Sequence, residues 1–424
     1  MRNVLVVLVP LSVALAGCDD REPPAASQPS GRAETIFTTG QDLANPFFAS
    51  IGTNQRACVT CHDPEAAWSI SPTALQDRFD ATGGTDPVFR ALDGATSPET
   101  DVSTVEARLQ AYDLLLTRGL IRVGQPIPTD AEFTLSAVSD PRGFASATEL
   151  SLFRRPLPAS NLRFLSQIMW DAREVTLDQQ ATDATRGHAQ ATEILPEAIA
   201  QIVAFESSLY TAQRFDDVAG DLASDGARGG AQPLVATVFR PEINDSNNPG
   251  FDRQVFSLFG AWANDDRSTD QGRRRAAIAH GEQIFNTHTF RIRNVAGLAN
   301  QEGTCSTCHD TPNVGSRSST EPMDIGVSDE DRRFNGMPLY TLRNNATGRT
   351  VKTTDPGYAL VTGRWDDIGK FKVPVLRGLA QRPPYFHNGI AQNLDEVVQF
   401  YIRELDVELS DGEQADLVAF LSAL

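Results

Sequence analysis

Basic residues are scarce in this chain of 424 residues: 37 Lys and Arg stand against 55 Asp and Glu, a formal net charge of −18. A surface of that sign repels a phosphate backbone, which argues against nucleic acid as a partner. It favours basic protein partners through long-range steering. Aromatic residues are few, at 8%, and there is a single short apolar run, Val4 to Ala16, which excludes a polytopic membrane protein. Sustained alternation of apolar and polar residues, the mark of a half-buried strand, is also missing, so the fold class reads as mainly α. Cysteine occurs at five positions only, and their placement is the strongest pattern in the sequence.

Arg2 precedes the apolar run, which is too short to span a bilayer comfortably and has the make-up of a signal-peptide core. The run ends Leu15-Ala16-Gly17-Cys18, which resembles a bacterial lipobox: small residues for the peptidase, then a thiol to be lipidated. Ordinary signal cleavage with a spare cysteine is the alternative. Asp19 to Ser30 is polar and rich in Pro, Ser and Ala, a composition that makes a tether rather than a core. The reading is a lipoprotein signal peptide over 1–17 and a flexible tether over 18–35. The acidic globule beyond is expected to be periplasmic, touching a membrane only through the lipid on Cys18.

The other four cysteines form two copies of one pattern, Cys58-Val-Thr-Cys61-His62 and Cys305-Ser-Thr-Cys308-His309. C-x-x-C-H is the attachment site of a c-type haem: two thiols at that spacing add to the vinyl groups, and the adjacent imidazole ligates iron. A thioredoxin-like redox pair does not need a histidine after it in both copies. A four-thiolate zinc site has its pairs far closer together, and disulfides between neighbours would not repeat the histidine. Two covalently bound haems c are therefore expected.

Two motifs in different halves imply two cytochrome-c-like haem domains, over 36–215 and 271–424, with a linker over 216–270. Within the first, breakers crowd residues 75–160 (Gly83-Gly84, Pro126, Pro128, Pro141, Pro156, Pro158), which reads as an irregular insertion. One good helical run interrupts it, Val102 to Leu120, with apolar Val105, Leu109, Tyr112, Leu116 and Leu120. Residues 161–213 read as helical, with Ile194, Ile199, Ile202, Val203 and Phe205 on one face, and a Gly- and Asp-rich stretch from Asp216 to Gly230 marks the boundary. A further helix over Arg273–Phe285 leads into the second motif. The last helix is announced by a capping box, Ser410 with Glu413, ahead of Leu417, Val418, Leu421 and Leu424.

The segment Gly369-Lys-Phe-Lys-Val-Pro-Val-Leu-Arg-Gly-Leu-Ala380, then Pro384-Tyr-Phe-His-Asn-Gly389, then Leu394-Asp-Glu-Val-Val-Gln-Phe-Tyr401, closely resembles the C-terminal signature of bacterial dihaem cytochrome c peroxidases and their MauG-type relatives. Met169-Trp170-Asp171-Ala172-Arg173, followed by Leu177 and Gln180-Ala181, is similar to that family's Phe-Trp-Asp-Gly-Arg stretch. The resemblance is strong around 55–68, 160–190, 278–310 and 369–424 and weak over 75–160 and 215–265. It implies His62 and His309 as proximal ligands. It also implies a six-coordinate, electron-passing C-terminal haem, whose second ligand is Met in the peroxidases and Tyr in MauG-type enzymes. That ligand lies fourteen positions after the histidine of the Pro-Tyr-Phe-His motif, so His387 leads to Tyr401. A phenolate lowers the potential of the iron, whereas a thioether keeps it easily reduced. Met323, Met337 or water are the alternatives to Tyr401, and His387 is read as standing behind the ligands or beside a propionate.

Trp170 corresponds to the family's inter-haem tryptophan, whose oxidisable indole shortens the electron hop; plain core packing is the alternative. The departure lies on the peroxide side, where the family places Gln ten residues after this Trp and Glu twenty after. Gln180 is present, but the second position is Gln190, with His188 two residues before it. Gln carries no proton at neutral pH, so the acid–base role is lost, moved to His188, or left to water. His188 has two other readings: a ligand that closes the N-terminal iron, or an exposed residue of a polar turn. His280 and His288 read as ordinary polar residues or propionate partners. The family also binds calcium between its domains; the corresponding positions carry Arg155 and Arg382, whose charge stands in for a cation, so calcium is left open.

The activity implied by the resemblance is cytochrome-c peroxidase activity: reduction of hydrogen peroxide at the N-terminal haem, with electrons relayed through the C-terminal haem from a small cytochrome c or a cupredoxin. Two alternatives stand beside it. One is MauG-type oxidation of a protein or organic substrate through high-valent haems, which Tyr401 favours; the other is a non-enzymatic dihaem electron carrier. A homodimer is compatible with either.

Overall fold

The computed structural model describes residues 31–293, 295, 296, 298 and 301–424. The expected signal peptide, Cys18 and the tether to residue 30 lie outside the described residues. Along the chain, β1 (Arg32–Phe37) is followed by the first C-x-x-C-H turn, then α1 (Pro72–Thr82), α2 (Val105–Ala111), α3 (Asp113–Arg118), β2 (Ile121–Gln125), β3 (Phe133–Ser139) and β4 (Leu150–Arg154). Next come α4 (Leu177–Gly187), α5 (Pro196–Ser207), β5 (Leu209–Asp216), β6 (Gly220–Asp221), α6 (Gln232–Ala236) and α7 (Asp270–Thr287). The chain closes with β7 (Phe290–Arg291), β8 (Glu302–Gly303), α8 (Cys305–Cys308), β9 (Leu339–Asn344), β10 (Thr350–Thr353), α9 (Ala359–Thr362), α10 (Leu394–Leu405) and α11 (Asp411–Ser422).

Eleven α-helical segments thus share the described residues with ten strands in four small sheets, so sheet accompanies the helices where the sequence shows none. The strands escaped the sequence pattern for a physical reason. All five residues of β4 are buried, as are the first five of β5, so neither strand alternates. β5 also replaces helix at the end of 161–213, pairing antiparallel with β1 from Phe37↔Leu209 to Ala33↔Gln213.

The helices follow their end signals. Thr104 accepts from Ala107 N to start α2, and Gly119, in the left-handed region at φ 61°, stops α3. Ser410 and Glu413 form the expected capping box of α11. α7, α10 and α11 enclose the largest apolar cluster, where Phe285 and Phe420 meet Phe256, Phe259 and Trp262. A second cluster gathers Phe47, Trp68, Ile202 and Phe205 beside the first motif. β3 pairs with β9 from Phe133↔Asn344 to Ser139↔Leu339, so the breaker-rich 75–160 segment is stitched to the C-terminal half.

Candidate functional site

The two C-x-x-C-H motifs fold alike. In the first, His62 N donates to Cys58 O at 3.0 Å and Ala57 N to Thr60 Oγ1 at 3.0 Å. In the second, His309 N donates to Cys305 O at 3.2 Å and Thr304 N to Thr307 Oγ1 at 2.9 Å. Each imidazole is anchored from behind: His62 Nδ1 lies 3.1 Å from Trp68 O, and His309 Nδ1 lies 2.7 Å from Gly315 O. A carbonyl only accepts, so Nδ1 carries the proton and Nε2 keeps its lone pair. Burial pulls both histidines down to about 4, which keeps them neutral and fit to ligate a metal.

Each motif opens into its own, largely apolar cleft. Burial pushes Cys58 and Cys305 up to about 12 and Cys308 to about 11, and none of the four thiols is paired in a disulfide. Thiols held protonated in apolar walls are unlike those of a redox C-x-x-C pair, whose thiolate is stabilised.

The clefts share a wall made of Arg155, Pro156, Leu157, Pro158, Trp170 and Lys372. Trp170 is fixed there by Nε1–H donating to Arg155 O at 2.7 Å and by Lys372 N donating to its carbonyl at 2.8 Å. Behind it, Arg154 joins Asp171 (2.5 Å) to Asp355 (2.7 Å), and Arg173 adds a second cation 2.9 Å from Asp171. Burial works to raise Asp171, but the two guanidiniums hold it well below the usual carboxylate range. His387 is 1% exposed, stacks on Phe371 at 3.9 Å and meets Trp170 edge-on at 6.3 Å. It lines the second cleft beside Trp170, and its backbone carbonyl accepts from Arg155 N at 2.6 Å.

The wall carries basic side chains with no carboxylate partner among the described residues. Lys372 is 6% exposed, and burial, with Arg382 nearby, pulls it down to about 7. Among the described residues the Arg155 guanidinium donates only to backbone carbonyls: Ile70 (2.8 Å), Arg118 (3.2 Å), Gly119 (3.5 Å), Arg382 (3.3 Å) and Pro383 (3.4 Å). Gly119 is needed for this, since a Cβ there would lie 2.0 Å from Arg155 Nη1. Arg155, one of the two positions that the resemblance aligns with a calcium site, thus holds its guanidinium in a cage of carbonyls. Buried charge without a counterion is costly and calls for a ligand that supplies one. A flat apolar group with carboxylate edges fits every part of this donor set: two thiols and an imidazole in each cleft, and cations between them. That is the chemistry of haem.

The remaining sequence-predicted residues divide. Tyr401, on α10, lines the second cleft with His309, and burial lifts its hydroxyl above the usual phenol range. Met323 lines the same cleft, whereas Met337 packs with Leu114, Leu120 and Phe153 in a separate cluster. Gln180 and His188 line the first cleft; Gln190 is exposed and is not among its lining residues. His280 bonds Asp416 at 2.7 Å and ties α7 to α11. Three residues of the first cleft were missed: Arg56, Asp93 and Glu206. Glu206 had a legible signal, a carboxyl on the apolar stripe of α5 four residues after Ile202. Burial pushes it up to about 8.

No family model matches the chain. Cytochrome-c peroxidase IdrP1 of Pseudomonas sp. (strain SCT) is 27% identical over 288 residues, 62% of this chain and 66% of that protein. Of five further curated peroxidases, none is matched over more than 63% of its length. The methylamine utilization protein MauG of Methylophilus methylotrophus is 23% identical over 351 residues, 79% of this chain and 87% of that protein. Among solved structures, a MauG-like protein associated with microbial copper homeostasis aligns over 90% of this chain and 86% of its own, at 16% identity and a TM-score of 0.41.

Proposed function

From its similarity to bacterial cytochrome-c peroxidases and to MauG, we propose that this chain is a member of their family and a c-type haem oxidoreductase that reduces hydrogen peroxide. One haem is held by each C-x-x-C-H motif, each in its own domain (36–215 and 271–424). The observation that carries this reading is the common wall, in which Trp170 faces both clefts and each cleft has its own anchored histidine. When bound, the haems supply the electron storage and peroxide chemistry. The protein's part would be to attach them through Cys58, Cys61, Cys305 and Cys308, to present Nε2 of His62 and His309, and to set Trp170 in the wall between the two clefts. On the peroxide side, Gln180 orients the substrate and His188 moves its proton. An acidic surface suits a basic cytochrome or cupredoxin donor, and a lipid on Cys18 holds the protein to a membrane in the periplasm. The test is H2O2-dependent oxidation of a reduced small cytochrome c, with and without prior one-electron reduction of the protein. Turnover of roughly tens per second is expected; negligible turnover in both states overturns the reading.

A second reading, MauG-type oxidation of a protein or organic substrate, is favoured by one observation. Tyr401 lines the cleft of His309. A phenolate there lowers the potential and disfavours a simple electron-passing haem. A lasting spectral change on adding peroxide, with no cytochrome oxidation, selects this reading.

A further inference from the structure

The imidazole on the peroxide side has a carboxylate behind it. His188 Nδ1 lies 2.7 Å from Oδ2 of Asp93, which is 4% exposed. Asp93 in turn accepts from Arg56 Nη1 at 2.7 Å, and its carbonyl accepts from Arg122 N at 2.6 Å. Arg56 is equally buried and is pinned by the carbonyls of Pro87 (2.8 Å) and Val88 (2.7 Å). The backbone of His188 is held too, its carbonyl taking Asn54 Nδ2 at 2.7 Å. Asp93, Arg56 and His188 line one cleft with His62. A carboxylate only accepts, so Nδ1 donates, and in the neutral imidazole Nε2 keeps its lone pair.

We infer that Asp93 is the positioning residue of the peroxide-side histidine: it fixes the tautomer and direction of His188, so that Nε2 receives and returns the proton of hydrogen peroxide. This rests on the peroxide reading above. It replaces the missing Glu by an Asp–His pair and gives the 75–160 segment a task, since that segment delivers Asp93. In the step, Nε2 takes the proton from one peroxide oxygen and passes it to the other while the O–O bond breaks. Over the full cycle one H2O2 takes two electrons from the donor protein and two protons from solvent and leaves as two waters, with His188 returned neutral. An orienting carboxylate behind a working imidazole is a general device, because the wrong tautomer cannot accept.

The test uses the haem-loaded protein in stopped-flow reaction with H2O2, with haem content checked by mass and ferric spectrum. His188→Gln is expected to slow the reaction by roughly 10²–10⁴-fold, and Asp93→Asn by roughly 10–100-fold. The double variant should be no slower than His188→Gln alone, since both remove one function. Asp93→Glu, which keeps the acceptor charge, should recover most of the rate. If His188→Gln reacts at the parental rate, the acid–base reading of His188 falls. If His188→Gln is slow but Asp93→Asn is within about threefold of parent, or the two losses multiply, the positioning role alone is overturned. Should Asp93→Asn fail to load haem because Arg56 is left unpaired, Arg56→Gln combined with Asp93→Asn removes the buried cation too, and the same criteria apply.

Discussion

Glu206 faces the first cleft with no partner for Oε2 among the described residues, and burial pushes its carboxyl up to about 8 from 4.5. The folded protein therefore binds a proton that the unfolded chain releases near pH 4.5. Stability owed to the neutral acid is present below about 4.5 and is lost as pH rises towards 8, levelling above that. Glu206→Gln should be nearly neutral at pH 5 and more stable than parent at pH 8, by on the order of a few kcal/mol. Urea titrations at the two pH values check it, and an equal effect at both removes the buried-acid assignment. Tyr401 allows a second test at this scale. If its phenolate ligates, Tyr401→His changes the low-spin spectrum and raises the potential of that haem; an unchanged spectrum removes Tyr401 from ligation. Such residues were legible to different degrees. Covalent attachment demands two thiols and a histidine at fixed spacing, so the haem motifs stand out from any background. Asp93 and Arg56 reach His188 through long loops that obey no period, so only coordinates bring them together.

Helices were read well because their information is local: Thr104, Thr269 and Ser410 cap helices by bonding backbone amides three residues on. Strands were read poorly because β4 and β5 are buried on both faces, and because β3 finds its partner β9 some two hundred residues away. Helix pairing has a local trace too, in Gly281. There α7 approaches α11 so closely that a Cβ would lie 2.0 Å from Asp416 O and 2.7 Å from Phe420 Cβ. Backbone cannot yield as a side-chain tip does, so Gly281→Ala must part the helices that wall the second motif. A loss of about 1–3 kcal/mol is expected in chemical unfolding, whereas the neighbouring His280→Ala should cost less than about 1 kcal/mol, since its half-exposed bond to Asp416 is partly screened by solvent. Equal stabilities for parent and Gly281→Ala would mean that the helices do not meet there.

At the scale of the whole molecule, two pockets built by distant parts of one chain share a wall whose cations have no carboxylate partner among the described residues. Lys372 faces both clefts, and Arg382 faces the second. Arg155 faces both while clamping carbonyls at Ile70, Arg118 and Arg382, from either end of the chain. If each motif holds a haem, as proposed above, the haem carboxylates would be the counter-charges this arrangement calls for, and a cation lining both clefts would couple their electrostatics. Lys372→Met should therefore lower the reduction potentials of both haems together, because uncompensated propionates favour the oxidised metal. Lys372→Arg, which keeps the charge, should leave both near parental values. Spectroelectrochemical titration of the holoprotein reads the two potentials separately. If one potential moves alone, Lys372 belongs to that haem only, and if neither moves, its charge faces no propionate and the shared wall is a packing feature.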